Sequence, residues 1–282
     1  MKRLLVATDL SERSAPALQR AAQLIREQPG STWSWLHVVD DDAPASFVHA
    51  QVQRVEALLQ EQARELGEQV GVTPQVIVLR GQVERCIVEV AEQMPADLLL
   101  VGLHRPNRLR ELFTGTTVGR IVRACHVPVL RVGNAVRGAY QRSLLALDLS
   151  AASLQALHSA RELGLLDLER YEAAYAIAPI PMSVVAHSGG EGRFLQNQAS
   201  EMREQLLREL REAGIELPGE RLHLRVADAA DALQQEVTER GADLLVMGTH
   251  ARQGLQRFLI GSVASRVLED HIGDVLVVPP RL

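Results

Sequence analysis

Residues Asp97-Leu98-Leu99-Leu100-Val101-Gly102 recur as Asp243-Leu244-Leu245-Val246-Met247-Gly248, 146 positions further on. The offset then holds without a gap: His104 matches His250, Gly115 matches Gly261, Arg120 matches Arg266, and Val129-Leu130 match Val275-Leu276. Near the start of each copy, Thr8-Asp9-Leu10-Ser11 corresponds to Leu147-Asp148-Leu149-Ser150, 139 positions apart. Solenoid units repeat every ~20–50 residues, so a period this long is a whole domain written twice. The 282 residues then divide into two domains of ordinary size, 1–135 and 140–282. Gly133, Asn134 and Gly138 mark a short linker within Gly133–Gln141.

Within each copy, short apolar runs alternate with stretches whose apolar residues recur at helical spacing. Strands are predicted at Leu4–Thr8, Trp33–Val39, Gln75–Leu79, Asp97–Val101 and Val127–Val132, and helices at Ser14–Arg26, Val52–Gln69, Val83–Gln93 and Thr116–Ala124. The second copy repeats the order. Its strands are Ser143–Leu147, Glu172–Ile177, Leu222–Val226, Asp243–Met247 and Val275–Val278; its helices are Ala151–Leu163, Phe194–Ala213, Ala230–Arg240 and Ser262–Asp270. Strands apolar on both faces and separated by helices make a parallel sheet covered on two sides. The expected fold is therefore α/β, two doubly wound five-stranded domains. The second copy's seven extra residues fall around Ala178–Gly192 and Glu216–Glu220; the first of these segments reads as a surface insertion.

Composition narrows the function. Aromatic residues are 3% of the chain, so the cores rest on aliphatic side chains and the stacking platforms of single-strand binders are missing. A net charge of −5 lacks the footprint of a phosphate-backbone binder, so no nucleic-acid partner is expected. Cys86 and Cys125 form no Cys-x-x-Cys pair, which points to a reducing compartment. No apolar run reaches the ~18 residues of a membrane span, and Asp9, Ser11, Glu12 and Arg13 interrupt the apolar start too early for a signal peptide. The expected location is the cytoplasm, with no membrane partner.

Ligands of doubly wound sheets sit beyond the carboxyl ends of the strands. Asp9, Gly102 and Gly115-Thr116 belong there in the first copy, and Asp148, Gly248 and Gly261-Ser262 in the second. Glycine admits close backbone approach, and a helix N-terminus offers unpaired amides to anionic oxygens. Singly, these residues are turns and N-caps; together, at fixed spacing and twice over, they indicate a nucleotide-type pocket. No Gly-x-Gly-x-x-Gly follows the first strand, and no P-loop occurs. The nine His residues form no metal-ligand spacing. A phospho-accepting receiver would need more acids beside Asp9 and a Lys where Arg131 and Asn134 stand. No nucleophile with a general base emerges.

The stretch from Asp243 to Leu268 resembles the universal stress protein family, and the likeness extends over essentially the whole chain in a tandem, two-domain form. ATP-binding members carry Gly, two residues, Gly, nine residues, then Gly-Ser or Gly-Thr. That frame falls on Gly248, Ala251, Gly261 and Ser262 in the second copy, and on Gly102, Arg105, Gly115 and Thr116 in the first. The middle Gly is replaced in both. Ala251 adds one methyl, costing over ~1 kcal/mol only at positive φ. Arg105 either blocks the phosphate channel or grips phosphates itself. The resemblance implies a strand order 3-2-1-4-5, as in adenine-nucleotide α-hydrolases, and an acid near the adenosine end at Asp9 and Asp148. It also implies an adenine-facing backbone at His37-Val38, for which Tyr175-Ala176 is the poorer equivalent.

The favoured nucleotide site is thus in the second copy: Asp148, Ala176, Met247, Gly248, Ala251, Gly261, Ser262 and Val263. A weaker one is in the first: Asp9, Val38, Gly102, Arg105, Gly115 and Thr116. The implied ligand is ATP or AMP, with Mg as companion ion and at most weak hydrolysis, in a stress-response protein whose occupancy alters its partners. The rival reading is an interaction scaffold with degenerate pockets; a third is an enzyme of the α-hydrolase type. The family's pairing through the fifth strand implies that Val127–Val132 and Val275–Val278 join within one chain, with a homodimer as a further assembly.

Overall fold

The computed structural model describes residues 2–41, 44–103, 116–167, 169–179, 191–249, 261–270 and 273–280, with backbone alone at 45 and 191–199. Most of the extra segment expected around Ala178–Gly192 lies outside the described residues.

The first half runs β1 (Arg3–Ala7), α1 (Ala15–Glu27), β2 (Thr32–Val39), α2 (Ala45–Val70), β3 (Gln75–Arg80), α3 (Val83–Gln93), β4 (Leu98–Gly102), α4 (Thr117–Ala124) and β5 (Val129–Val132). The second runs β6 (Ser143–Ala146), α5 (Ala151–Glu162), β7 (Glu172–Ile177), α6 (Glu191–Glu212), a 3-10 turn (Gly219–Arg221), β8 (Leu222–Val226), α7 (Ala229–Arg240), β9 (Leu244–Gly248), α8 (Ser262–Asp270) and β10 (Asp274–Val278). The main departure from expectation is α2, which starts at Ala45 directly after Pro44 rather than at Val52. Its first turns bury Val48 but leave Phe47 exposed, so the helical period is faint there.

Among the described residues the ten strands form one sheet in the order β3-β2-β1-β4-β5-β10-β9-β6-β7-β8. Each half is 3-2-1-4-5, counted from its outer edge. Neighbours are parallel except at the join, where β5 and β10 run antiparallel with Leu130 opposite Leu276. The fifth strands of the two copies therefore pair with each other. Every residue of both strands is buried.

Alternation along the strands builds one core on each face. Leu98 and Leu100 point into the core under α1 and α2, while Leu99 and Val101 point into the one under α3 and α4. Both cores draw residues from both halves, so apolar burial, at ~25 cal/mol per Å², acts across the join. The join also carries buried charge. Asp274, 1% exposed, accepts the amides of Gly133 and Asn134 at 2.8 Å each, and Arg20 lies 3.6 Å away. The linker is bound down rather than loose.

Candidate functional site

At the carboxyl end of β6 the chain turns through Asp148-Leu149-Ser150 into α5. Oδ1 of Asp148 accepts the Ser150 amide at 2.9 Å and the Ser150 hydroxyl at 2.6 Å. The hydroxyl in turn caps α5 by accepting the Ser153 amide at 3.2 Å. Leu149 sits at φ 58°, and its counterpart Leu10 at φ 63°. A left-handed leucine costs about 1–2 kcal/mol, and it stands at the same point of both copies. Asp9 repeats the geometry, accepting the amide and hydroxyl of Ser11 at 3.0 and 2.6 Å. Thr8 adds a hydrogen bond to the Leu10 amide at 3.1 Å, which Leu147 in the second copy has no oxygen to make.

Gly248 ends β9 beneath the first turn of α5. A Cβ there would stand 2.5 Å from the Ala152 carbonyl carbon and 2.9 Å from the Ser153 nitrogen. Gly102 meets α1 in the same way, with Ser14 Cα at 2.5 Å. These two glycines are therefore required by helix-on-strand packing inside the protein. Gly261 differs: a Cβ there would meet none of the described residues within 4 Å. Its carbonyl accepts the Ser265 amide at 3.0 Å, which makes it the residue before the first turn of α8. Having no side chain, it cannot cap the helix, and the amides that follow belong to the unpaired set at a helix start.

One cavity of about 350 Å³ joins these pieces, bounded by Asp148, Tyr175, Ala176, Met247, Gly248, Gly261, Ser262 and Val263, with Ala174, Ala229, Leu233 and Ala264 completing its apolar wall. Small-molecule sites usually measure ~300–1,000 Å³. The first copy has a cavity of about 130 Å³ in the equivalent place, bounded by Asp9, Val38 and Gly102 among others. The difference follows from the walls. Leu36 and Val38 of β2 stand where β7 has Ala174 and Ala176, because Ala7 pairs with Leu36 as Ala146 pairs with Ala174. Val83 and Val118 likewise stand where the second copy has Ala229 and Ala264. Four branched side chains in one copy are alanines in the other.

The helix starts differ too. Thr116 is an extended N-cap whose hydroxyl accepts the Gly119 amide at 3.1 Å, so part of the first copy's anion-binding capacity is satisfied internally. His37 is buried, with Nδ1 2.9 Å from the Thr8 carbonyl, so its ring is engaged with the protein. Arg120 and Arg266, matched by the repeat, pair with acids at the starts of α3 and α7: Arg120 with Glu84, Arg266 with Asp228 at 2.7 Å. Arg105, Gly115 and Ala251 lie outside the described residues, as do His104 and His250. Among the described residues no three metal-ligating side chains cluster, and no helix is long and apolar enough to cross a membrane.

Sequence reading reached only Ala176 of the alanine wall, and neither of the left-handed leucines. The wall was readable only by comparing the copies position by position along β2 and β7. Backbone strain leaves no mark in residue type when leucine carries it.

The family model described as universal stress protein family matches residues 1–133 and again 139–279. A universal stress protein of Mycolicibacterium smegmatis is 28% identical over 225 residues, 77% of this chain and 72% of that protein. Among solved structures, a functionally unknown protein of Pseudomonas aeruginosa PAO1 superposes with a TM-score of 0.72 at 21% identity, covering 99% of this chain and 93% of the other. A universal stress protein from Archaeoglobus fulgidus gives 0.67 at 18% identity, covering 98% of each chain. At these identities the structural likeness concerns the fold, which is the Rossmann-like fold of adenine-nucleotide α-hydrolases.

Proposed function

From the premise that the chain belongs to the universal stress protein family, we propose that its second domain binds one adenine nucleotide, ATP or AMP. Occupancy of that site then alters the protein's contacts with partners during stress. The observation that carries this reading is the single cavity reaching from Asp148 to the start of α8. Adenine packs against the alanine wall and Met247, where apolar burial is favourable. Asp148, held in place by Ser150, accepts from ribose hydroxyls. The phosphates meet the first amides of α8, at the positive end of the helix dipole. Asp148 is the sole acid among the described lining residues, a donor set that suits Mg²⁺ carried on phosphate oxygens and water rather than in a protein cage. The first domain's cavity is narrowed by its walls, which favours a structural or scaffold role for that half.

Isothermal titration tests the assignment. Gly261→Val meets none of the described residues within 4 Å and costs only the ~1 kcal/mol of a poor helix-capping residue, while weakening ATP binding at least tenfold. Gly115→Val leaves binding unchanged. The expected stoichiometry is one nucleotide per chain. A wild-type protein that takes up no ATP at millimolar concentration, or one whose binding is lost only with Gly115→Val, overturns the reading.

A further inference from the structure

The far end of α8 is held by a residue from the other half of the chain. Arg131 on β5 is 3% exposed. It donates from Nη1 to the Leu268 carbonyl at 3.3 Å and from Nη2 to the Gly273 carbonyl at 2.8 Å. Leu268 is in the last turn of α8, whose carbonyls lack helical partners, and a cation there faces the negative end of the helix dipole. The opposite end of the same helix, at Gly261 and Ser262, borders the cavity. At 1.5 Å per residue the helix spans only about 13 Å, and a helix this short transmits a shift at one end directly to the other.

Two further observations set Arg131 apart from ordinary core residues. Among the described residues its buried Nε has no hydrogen-bond partner, an unfavourable arrangement that aliphatic packing would avoid. Burial pushes its guanidinium down to about 10, while Asp274 pulls the other way, so it remains charged at neutral pH. The device is also one-sided. The position matched to Arg131 by the repeat is Val277 on β10, which has no donor to offer the end of α4. The brace acts on the half with the larger cavity.

We infer that Arg131 is a positioning residue for the second-domain pocket. It fixes α8 from its C-terminal end, holds the amides at the other end against the cavity, and lets the join between the two halves set nucleotide affinity. The inference rests on the nucleotide reading above, and its test separates the two.

Full-length Arg131→Met, Arg131→Lys and Tyr140→Phe are compared with wild type by ATP titration and by hydrogen exchange of the 265–270 amides without ligand. Tyr140→Phe serves as the control, since it weakens the same join without touching α8. Arg131→Met is expected to bind ATP at least tenfold more weakly and to exchange faster in α8. Arg131→Lys, which keeps the charge but not both bonds, falls between it and wild type. Tyr140→Phe keeps affinity and α8 exchange within twofold despite a lower melting temperature. Affinity that merely tracks melting temperature across the three variants overturns the inference, as does unchanged α8 exchange in Arg131→Met. If Arg131→Met does not fold, wild-type affinity in Arg131→Lys overturns it instead. If wild type binds no ATP, the nucleotide reading fails, and the exchange comparison still judges the brace.

Discussion

Tyr140 donates its hydroxyl to Oδ2 of Asp274 at 2.6 Å, across 134 positions of chain. The same ring lies 3.9 Å beneath the Arg20 guanidinium. Burial, reinforced by the Asp274 charge, holds the tyrosine hydroxyl well above its usual range, so it remains a donor at any ordinary pH. Asp274 is thereby paired on both oxygens with no access to water. Hydrogen bonds to buried charges are worth about 1.5–3 kcal/mol, so Tyr140→Phe should lose about that much in urea unfolding. Asp274→Ala, which removes the buried acid facing Arg20 and Arg131, should lose about 3–5 kcal/mol.

The glycines give a split result that no single role explains. Gly248→Ala forces α5 away from β9, and overpacking of this kind costs about 1–3 kcal/mol. Gly261→Ala meets none of the described residues and should cost at most the ~1 kcal/mol of an alanine at a helix cap, less than Gly248→Ala, while lowering ATP affinity. Thermal melts with and without ATP distinguish them; equal destabilisation by both would contradict the contact geometry.

What the sequence disclosed and what it hid divide along physical lines. The repeat and its periodicity located Val83–Gln93, Glu172–Ile177 and Ser262–Asp270 as they stand in the structure, because burial of one face imposes a local pattern. Gly248 was legible as a special position, but its reason was not: the methyl it forbids would strike α5, about a hundred residues earlier in the chain. Arg131 and Asp274 were opaque for the same cause. Arg131 entered the sequence reading only as a residue standing where a receiver would have Lys, and Asp274 fell just outside the expected strand Val275–Val278; the groups that bind each of them arrive from the other half of the chain. Of the β7 alanines in the pocket wall only Ala176 was singled out in the sequence; what the alanines do together lies in what β2 carries instead.

Glu236 supplies a pH test. It is 3% exposed and accepts from Arg225 Nε at 2.7 Å and Arg240 Nε at 2.8 Å. Burial raises its pKa, but the hydrogen bonds from Arg225 and Arg240 outweigh burial and hold it below the usual carboxylate range. A depressed folded value means that its stabilisation is full above the unfolded value and disappears as pH falls through the folded one. Wild type should therefore exceed Glu236→Gln in stability near neutral pH, and the gap should shrink as pH falls below the usual carboxylate range. The matching residue in the first copy is Val90, in an apolar core. A constant gap across the titration would rule out the charge as its source.

Thiol reactivity should divide the two cysteines. Cys125 is fully buried, and desolvation pushes its thiol up to about 11. Cys86 is half-buried and raised less far, also by burial. An aromatic disulfide reagent at pH ~8 should titrate one thiol per native chain, slowly, and the second only on unfolding, since the thiolate is the reactive form. Labelled peptides identify which. Early modification of Cys125 would mean that the core under α4 opens far more readily than its packing indicates.

The antiparallel seam between β5 and β10 has a consequence for assembly. A tethered pair meets at an effective concentration fixed by the tether rather than by the amount of protein. The two halves therefore stay joined at any dilution, and expression level cannot regulate their union. Both fifth strands being spent on each other, an encounter between two chains must use other surfaces, such as the outer strands β3 and β8 or the helical layers.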